Sequence, residues 1–294
     1  MDIKAIQKKY QEALAGLESN TRKVFDFKQP VLIEGGNYPG IWLECGPMEG
    51  LVYGRKAPEV AIANHEVFFH HQRADGYLPC WIWGDRVGSS QIQMVVPIAK
   101  TALETATLTG NEAFLSRAYD ACAAWDRWLS RNRDSRETGL CEAFCQHDTG
   151  HDNSPRFKGL PRTCPDENAA ICPEAGKLPY LAPDLSATVY GGRRALAEMA
   201  LQLGRASEAT MWQEKAEALR QKILQLCYDP EDECFYDVDA DGAFVKVRGD
   251  VLTRVLCEHV VDQARFERIY ARHIKNPQAS GPPTPCPPSR WTIR

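Results

Sequence analysis

The chain has 294 residues, 44% apolar and 25% charged, a balance typical of a soluble globular protein long enough for one large domain or two ordinary ones. A formal charge of −4 leaves no basic surface for nucleic acid or an anionic membrane, and no run of about 18 apolar residues is available to span a bilayer. The opening MDIKAIQKKYQEALAGLESN reads as an amphipathic helix and not as a signal peptide, so a cytoplasmic setting is expected, in which the 11 cysteines are mostly free thiols.

After that helix the segment 31–55 is rich in Gly, Pro and aromatics and reads as a long loop, followed by a helical pattern over 58–73 and a second long loop over 75–90. Apolar residues from Ile92 through Ala106 follow helical spacing, break at Thr109-Gly110-Asn111, and resume from Phe114 to Leu129. A third long loop, 139–183, leads to a second pair: Leu185 to Leu203, a break at Gly204-Arg205, then Ala209 to Leu226. A shift of 94 residues lays one pair on the other, superposing Gly110 on Gly204 and RETGL (136–140) on PEDEC (230–234). Glycine at each break supplies the left-handed helix stop, and Asn111 or Ser207 can cap the next helix. Cys122, Cys227 and Cys257 fall within helical patterns as small core residues. FYDVDADGAFVKV (235–247) alternates and turns at Asp241-Gly242, a β-hairpin signal, and weaker helical patterns follow at 251–260 and 262–274.

Helical hairpins cannot bury their apolar faces singly and must stack on one another. Long loops after the helix ends suit the walls of a pocket on one face of a closed ring better than a regular open solenoid. The expected fold is therefore all-α, a toroid of αα-hairpins over residues 1–275 with a small β-hairpin in its loops, and an irregular proline-rich tail over 276–294.

Two stretches invite a metal reading. DVDADG (237–242) matches the front of a calcium loop, but its twelfth position is Arg248 where a bidentate Glu belongs, so a plain hairpin is expected. CEAFCQHDTGH offers Cys141, Cys145, His147 and His151, at a spacing too tight to surround one zinc ion. No metal and no cofactor are expected.

The remaining chemistry lies in TGHDNSPRF (149–157), a polar non-helical stretch with one carboxylate, stiffened by Pro155. Glycosidic cleavage needs a carboxylic acid held protonated by burial or by a like charge, and Asp152 among aromatic loops (Tyr38, Trp42, Tyr77, Trp81, Trp83, Phe157) could meet that need. Flat apolar faces beside polar groups also suit sugar rings, although the same aromatics could equally fasten loops to helix ends. Asn153 and Arg156 could bind hydroxyls or a substrate carboxylate, and a structural salt bridge accounts for Arg156 as well.

TGHDNSPRF resembles the general-acid loop of glycoside hydrolase family 63 and the related mannosylglycerate-hydrolase-like enzymes, with the pattern [S/T]-G-x-D-[D/N]-x-P-R. Other landmarks fall in the family's order: PGIWLECG (39–46), HHQRADGYLP (70–79), Ser90-Gln91 at the start of an inner helix, and DLSATVYGGRRALAEMALQLG (184–204). The resemblance covers roughly residues 30–275. It implies an (α/α)6 barrel of which about four of six hairpins are present, and inverting hydrolysis of α-linked glucosides or mannosides, glycosylglycerates and small oligosaccharides included. It further implies Asp152 as general acid, with Tyr38, Trp42, Glu44, Gln91, Asn153, Arg156 and Phe157 as sugar contacts. Two departures bear on activity. Glu44-Cys45 replaces the Asp-Ser that relatives carry after the tryptophan, and the general-base Glu of the last hairpins is missing. Residues after SGPPTP leave the family pattern, so truncation or a frame change near residue 285 is expected, and with it inefficient hydrolysis by this chain. The alternatives are an inactive carbohydrate-binding toroid, and a sugar epimerase or lyase using pocket His or Tyr residues.

Overall fold

The computed structural model describes residues 3–276, so the tail expected at 276–294 lies, except for Asn276, outside the described residues. Among them are nine α-helices: α1 (Ile3–Ser19), α2 (Gly46–Tyr53), α3 (Pro58–His70), α4 (Ile98–Thr109), α5 (Glu112–Asn132), α6 (Pro183–Gln202), α7 (Ala206–Leu226), α8 (Val251–Cys257) and α9 (Gln263–Ile269). From α2 onward they follow one another in pairs. The 94-residue repeat holds where periodicity was strongest, since it carries α5 onto α7 end to end.

The break between α4 and α5 forms as the residues require. Gly110 is left-handed at φ 61°, and the Asn111 side chain accepts the Phe114 N–H at 2.9 Å. At the second break Gly204 is again left-handed, but α7 starts one residue before Ser207, which therefore lies in its first turn and caps nothing. The first helix of the earlier pair starts at Ile98 and not at Ile92. Pro97 has no N–H and would clash inside a helix, so it stands at the start, and residues 89–97 run as an irregular segment. Ser90 and Gln91 thus precede the helix they were expected to open.

Burial separates the two members of the second pair. In α6, 14 of 20 residues are buried, whereas α7 buries only Ala209, Trp212, Ala216, Leu219 and Ile223, so α6 is the inner helix. It packs on α4, α5, α7 and α8, and one continuous apolar core runs through all of them. Cys122 and Cys227 are in that core; Cys257 is exposed.

The loops hold more strand than the single hairpin foreseen. Strands β1 (Thr21–Arg22) and β2 (Val31–Leu32) pair antiparallel. The loops flanking α2 and α3 contribute β3 (Gly40–Trp42), β4 (Trp81–Trp83) and β5 (Arg86–Gly88), a three-stranded sheet with Trp42 opposite Trp81. Strands β6 (Glu142–Ala143), β7 (Tyr180–Leu181), β10 (Asp237–Val238) and β11 (Phe244–Val245) form a sheet of four from distant parts of the chain, and β8 (Tyr228–Asp229) pairs with β9 (Cys234–Phe235). The hairpin at 235–247 is real: β10 pairs β11, and Gly242 takes φ 85° at its turn. Lys177 Nζ lies 3.0 Å from both Asp239 and Asp241, and Asp237 is paired to Arg156, so a cation already occupies the carboxylates of the apparent calcium loop.

Candidate active site

The irregular segment ahead of α4 forms one wall. Gln91 is buried; its Nε2 donates to Gln93 Oε1 at 2.9 Å, and the Ser90 hydroxyl donates to Gln91 Oε1. Gln93, at the unusual φ of 43°, in turn hydrogen-bonds the Glu44 carboxylate just beyond β3. Gln91, expected as a sugar contact, is thus the buried support of the two residues beyond it.

Asp148, in the 3₁₀ turn Gln146–Thr149, holds this wall to the loop of Asp152. Its carboxylate accepts the N–H groups of Ile92 (2.9 Å), Phe144 (2.7 Å) and Cys145 (3.1 Å) and both terminal nitrogens of Arg133, while its carbonyl accepts Met94 N–H at 2.8 Å. Both charged side chains are fully buried.

Next comes a left-handed glycine, Gly150, at φ 66°, whose replacement by any larger residue would drive a Cβ into Glu44 Oε2. Only glycine lets the loop pass so close to that carboxylate. The turn His151–Ser154 then presents Asp152. Its side chain is 72% exposed, with His147 Nε2 3.3 Å away, and does not have the burial among aromatics expected of it. The loop is fastened from the other side by α8: Arg254 donates to the Thr149 carbonyl at 2.7 Å, and His151 Nε2 meets both Arg254 and Asp250.

Burial instead acts on Glu44. Its Oε2 is buried without a hydrogen-bond partner, and desolvation pushes the carboxyl up to about 7; the Gln93 hydrogen bond and Arg254 oppose this, while the charges of Glu34 and Asp152 add to it. Because the folded value lies above the ordinary 4.5, the cost of the charge is absent below about pH 4.5, grows through the interval and is complete above about 7. Glu44→Gln is therefore expected to stabilise the fold by on the order of 1–3 kcal/mol above neutrality and to do nothing at low pH. Thermal melts of both proteins across that pH range check it, and a pH-independent difference would refute it.

The other expected contacts divide by burial. Tyr38 is exposed and meets Trp42 edge-on at 5.7 Å; Trp42 is 6.0 Å from the exposed Trp83. These three form an accessible aromatic wall. Tyr77 and Phe157 are core residues, Phe157 stacking on Tyr180 at 6.0 Å. Arg156 is buried too. It donates to Asp184 at 2.7 and 2.9 Å and to Asp237 at 2.7 and 2.6 Å, so its guanidinium fastens β10 to α6 and its placement runs against binding a substrate carboxylate. Asn153, at φ 60°, accepts from Arg162 at 3.0 Å.

The four residues of the cysteine–histidine stretch do not converge. Cys145 lies 3.9 Å from Cys164 beside an Asp148 already paired to Arg133, while His147 and His151 face other partners. The sequence carries no signal for Gln93, Asp250 and Arg254, and marks His151 only as one of four zinc candidates. Only their long-range partners give them meaning, and a left-handed glutamine leaves no local signature.

Among the described residues no helix is long and apolar enough to cross a membrane. None of the curated proteins matches the sequence. The GH63 mannosylglycerate hydrolase from Thermus thermophilus, in complex with Tris, superposes with a TM-score of 0.73 at 17% identity, covering 90% of this chain and 76% of that one. The same enzyme with Tris and D-glycerate bound gives 0.72 at 17%, covering 92% and 77%. Neutral trehalase from Saccharomyces cerevisiae gives 0.63 at 14%, covering 83% of this chain and 55% of that one. These likenesses establish a shared fold, that of part of a six-hairpin glycosidase. The family model of the mannosylglycerate hydrolase MGH1-like glycoside hydrolase domain matches residues 54–289, and the chain belongs to that family.

Proposed function

We propose that this chain binds a small α-linked glucoside or mannoside, glycosylglycerates included, and that Asp152 protonates the leaving oxygen in an inverting hydrolysis. The observation that carries the reading is the pairing of two carboxylates on a built wall. Asp152 is close enough to Glu44 for its charge to raise the Glu44 pKa, and Gly150, two residues before Asp152, packs against the Glu44 carboxylate. Tyr38 and Trp42 supply the apolar faces for a sugar ring, and Glu44 and Gln93 the directional hydrogen bonds for its hydroxyls. The mannosylglycerate hydrolase of Thermus thermophilus is in complex with Tris and D-glycerate, the latter being the aglycone of a glycosylglycerate. The incomplete (α/α)6 toroid, with about four of six hairpins, and the single partial domain over 1–275 belong to the same proposal.

The exposure of the Asp152 side chain favours a second reading, a carbohydrate-binding protein without turnover. Reducing-sugar release from α-linked disaccharides and α-glycosylglycerates, measured beside calorimetric binding of the same compounds, separates the two. Turnover supports the hydrolase, binding alone supports the second reading, and neither binding nor turnover overturns both.

A further inference from the structure

The turn between β1 and β2 faces the C-terminal end of α3, and three metal-binding side chains meet there. Asp26 Oδ1 lies 3.2 Å from His70 Nε2 and 3.3 Å from His71 Nε2. The three donor atoms all lie within 4.8 Å of one another. We propose that Asp26, His70 and His71 bind a zinc ion, with solvent completing its shell.

Four lines of geometry carry this. Ligands at about 2.0–2.1 Å on a tetrahedral ion stand roughly 3.3–3.4 Å apart, close to the 3.3 Å between Asp26 and His71; the 3.2 Å between Asp26 and His70 is a hydrogen bond that the ion would replace. The His71 side chain is only 9% exposed, yet its Nε2 is buried and makes no hydrogen bond. A 3.3 Å separation without a hydrogen bond puts the oxygen off the axis of the ring nitrogen, as donors on adjoining corners of one coordination shell are placed. A buried ring nitrogen left without a partner is costly, and an ion would satisfy it. The donors also stand at a helix C-terminus, where the dipole favours positive charge.

The supporting residues fit the same purpose. Phe25 takes φ 45°, a strained conformation for a bulky residue, and stacks on the His71 ring at 5.4 Å, fixing its plane. Phe27 packs against His70 at 5.7 Å. A cleft of about 460 Å³ lined by Asp26, Lys28, Glu66, His70 and Arg117 gives an ion a way in, and the one acidic residue there besides Asp26 is paired to Arg117. Two imidazoles and one carboxylate form a nitrogen- and oxygen-donor set that suits zinc better than calcium or magnesium.

Titration of the chelator-stripped full chain with Zn²⁺, by calorimetry under reducing conditions, tests the site. One ion per chain is expected, with affinity lowered on the order of 100-fold in His70→Ala and in Asp26→Asn, since even residues behind metal ligands are worth 10–100-fold. Both side chains are about half exposed or more, so both variants keep the fold, as circular dichroism in chelator would verify. Zinc should raise the melting temperature of the parent and not that of the variants. Co²⁺ in its place should give the visible bands of a four-coordinate ion without thiolate charge transfer. No binding, binding and thermal shift unchanged in both variants, or a thiolate band that assigns the ion to cysteines would each overturn the proposal.

Discussion

Asp152→Asn is expected to lower kcat/KM on an α-linked glycoside by roughly 10²–10⁴-fold, the usual worth of a positioned proton donor. Asparagine keeps the shape and the hydrogen-bonding of the carboxyl but has no proton of suitable acidity for the departing oxygen. Because the side chain is 72% exposed and its near neighbour is the half-buried His147, the melting temperature should stay within about 1 °C of the parent's. That combination separates a chemical role from a structural one. The ratio between the two proteins is informative at any absolute rate. An activated leaving group such as a nitrophenolate needs little protonation, so the loss on that substrate should shrink by at least tenfold. Equal activity of parent and variant on the natural type of linkage would remove Asp152 from the mechanism and leave Glu44, with its raised pKa, as the candidate acid.

The second large effect is on stability. Arg133→Met is expected to cost about 3–5 kcal/mol, because it strands a carboxylate that has no access to water. Asp148 would still accept three backbone N–H groups, but nothing else would neutralise its charge at the junction of α5, the Gln91–Gln93 wall and the Asp152 loop. Adding Asp148→Asn should recover part of the loss, since the neutral amide keeps a carbonyl acceptor and removes the buried charge. Denaturant melts at neutral pH measure both. A loss under 1 kcal/mol for the single variant, or a double variant worse than the sum of its parts, would contradict this account. The contrast with Asp152 is instructive. Two aspartates four residues apart in one loop divide the work, one fully buried to hold the loop and the other exposed to solvent at its tip.

The helices were legible from the sequence because helix formation is largely local. Apolar periodicity located α5 and α7, and glycine with its following cap residue located the break at Gly110-Asn111. The same reasoning overran at Ile92, where the apolar spacing continues but Pro97 and the bonds of Ile92 and Met94 to Asp148 impose an irregular wall. The motif around Asp152 was also legible, and with it the family.

What the sequence alone determined is therefore the set of repeated helical pairs and the loop that carries Asp152. Tertiary structure decided which loop residues face solvent and which are sealed away. Arg156 and Phe157 stand in the same motif as Asp152, yet Asp184 and Asp237, 28 and 81 residues further on, draw the arginine into the core. Glu44 acquires its raised pKa only where Gly150 closes over it, and His71 faces Asp26 only because the turn after β1 folds back onto α3. Burial and charge are set by partners distant in the chain, and no local pattern of residues records them.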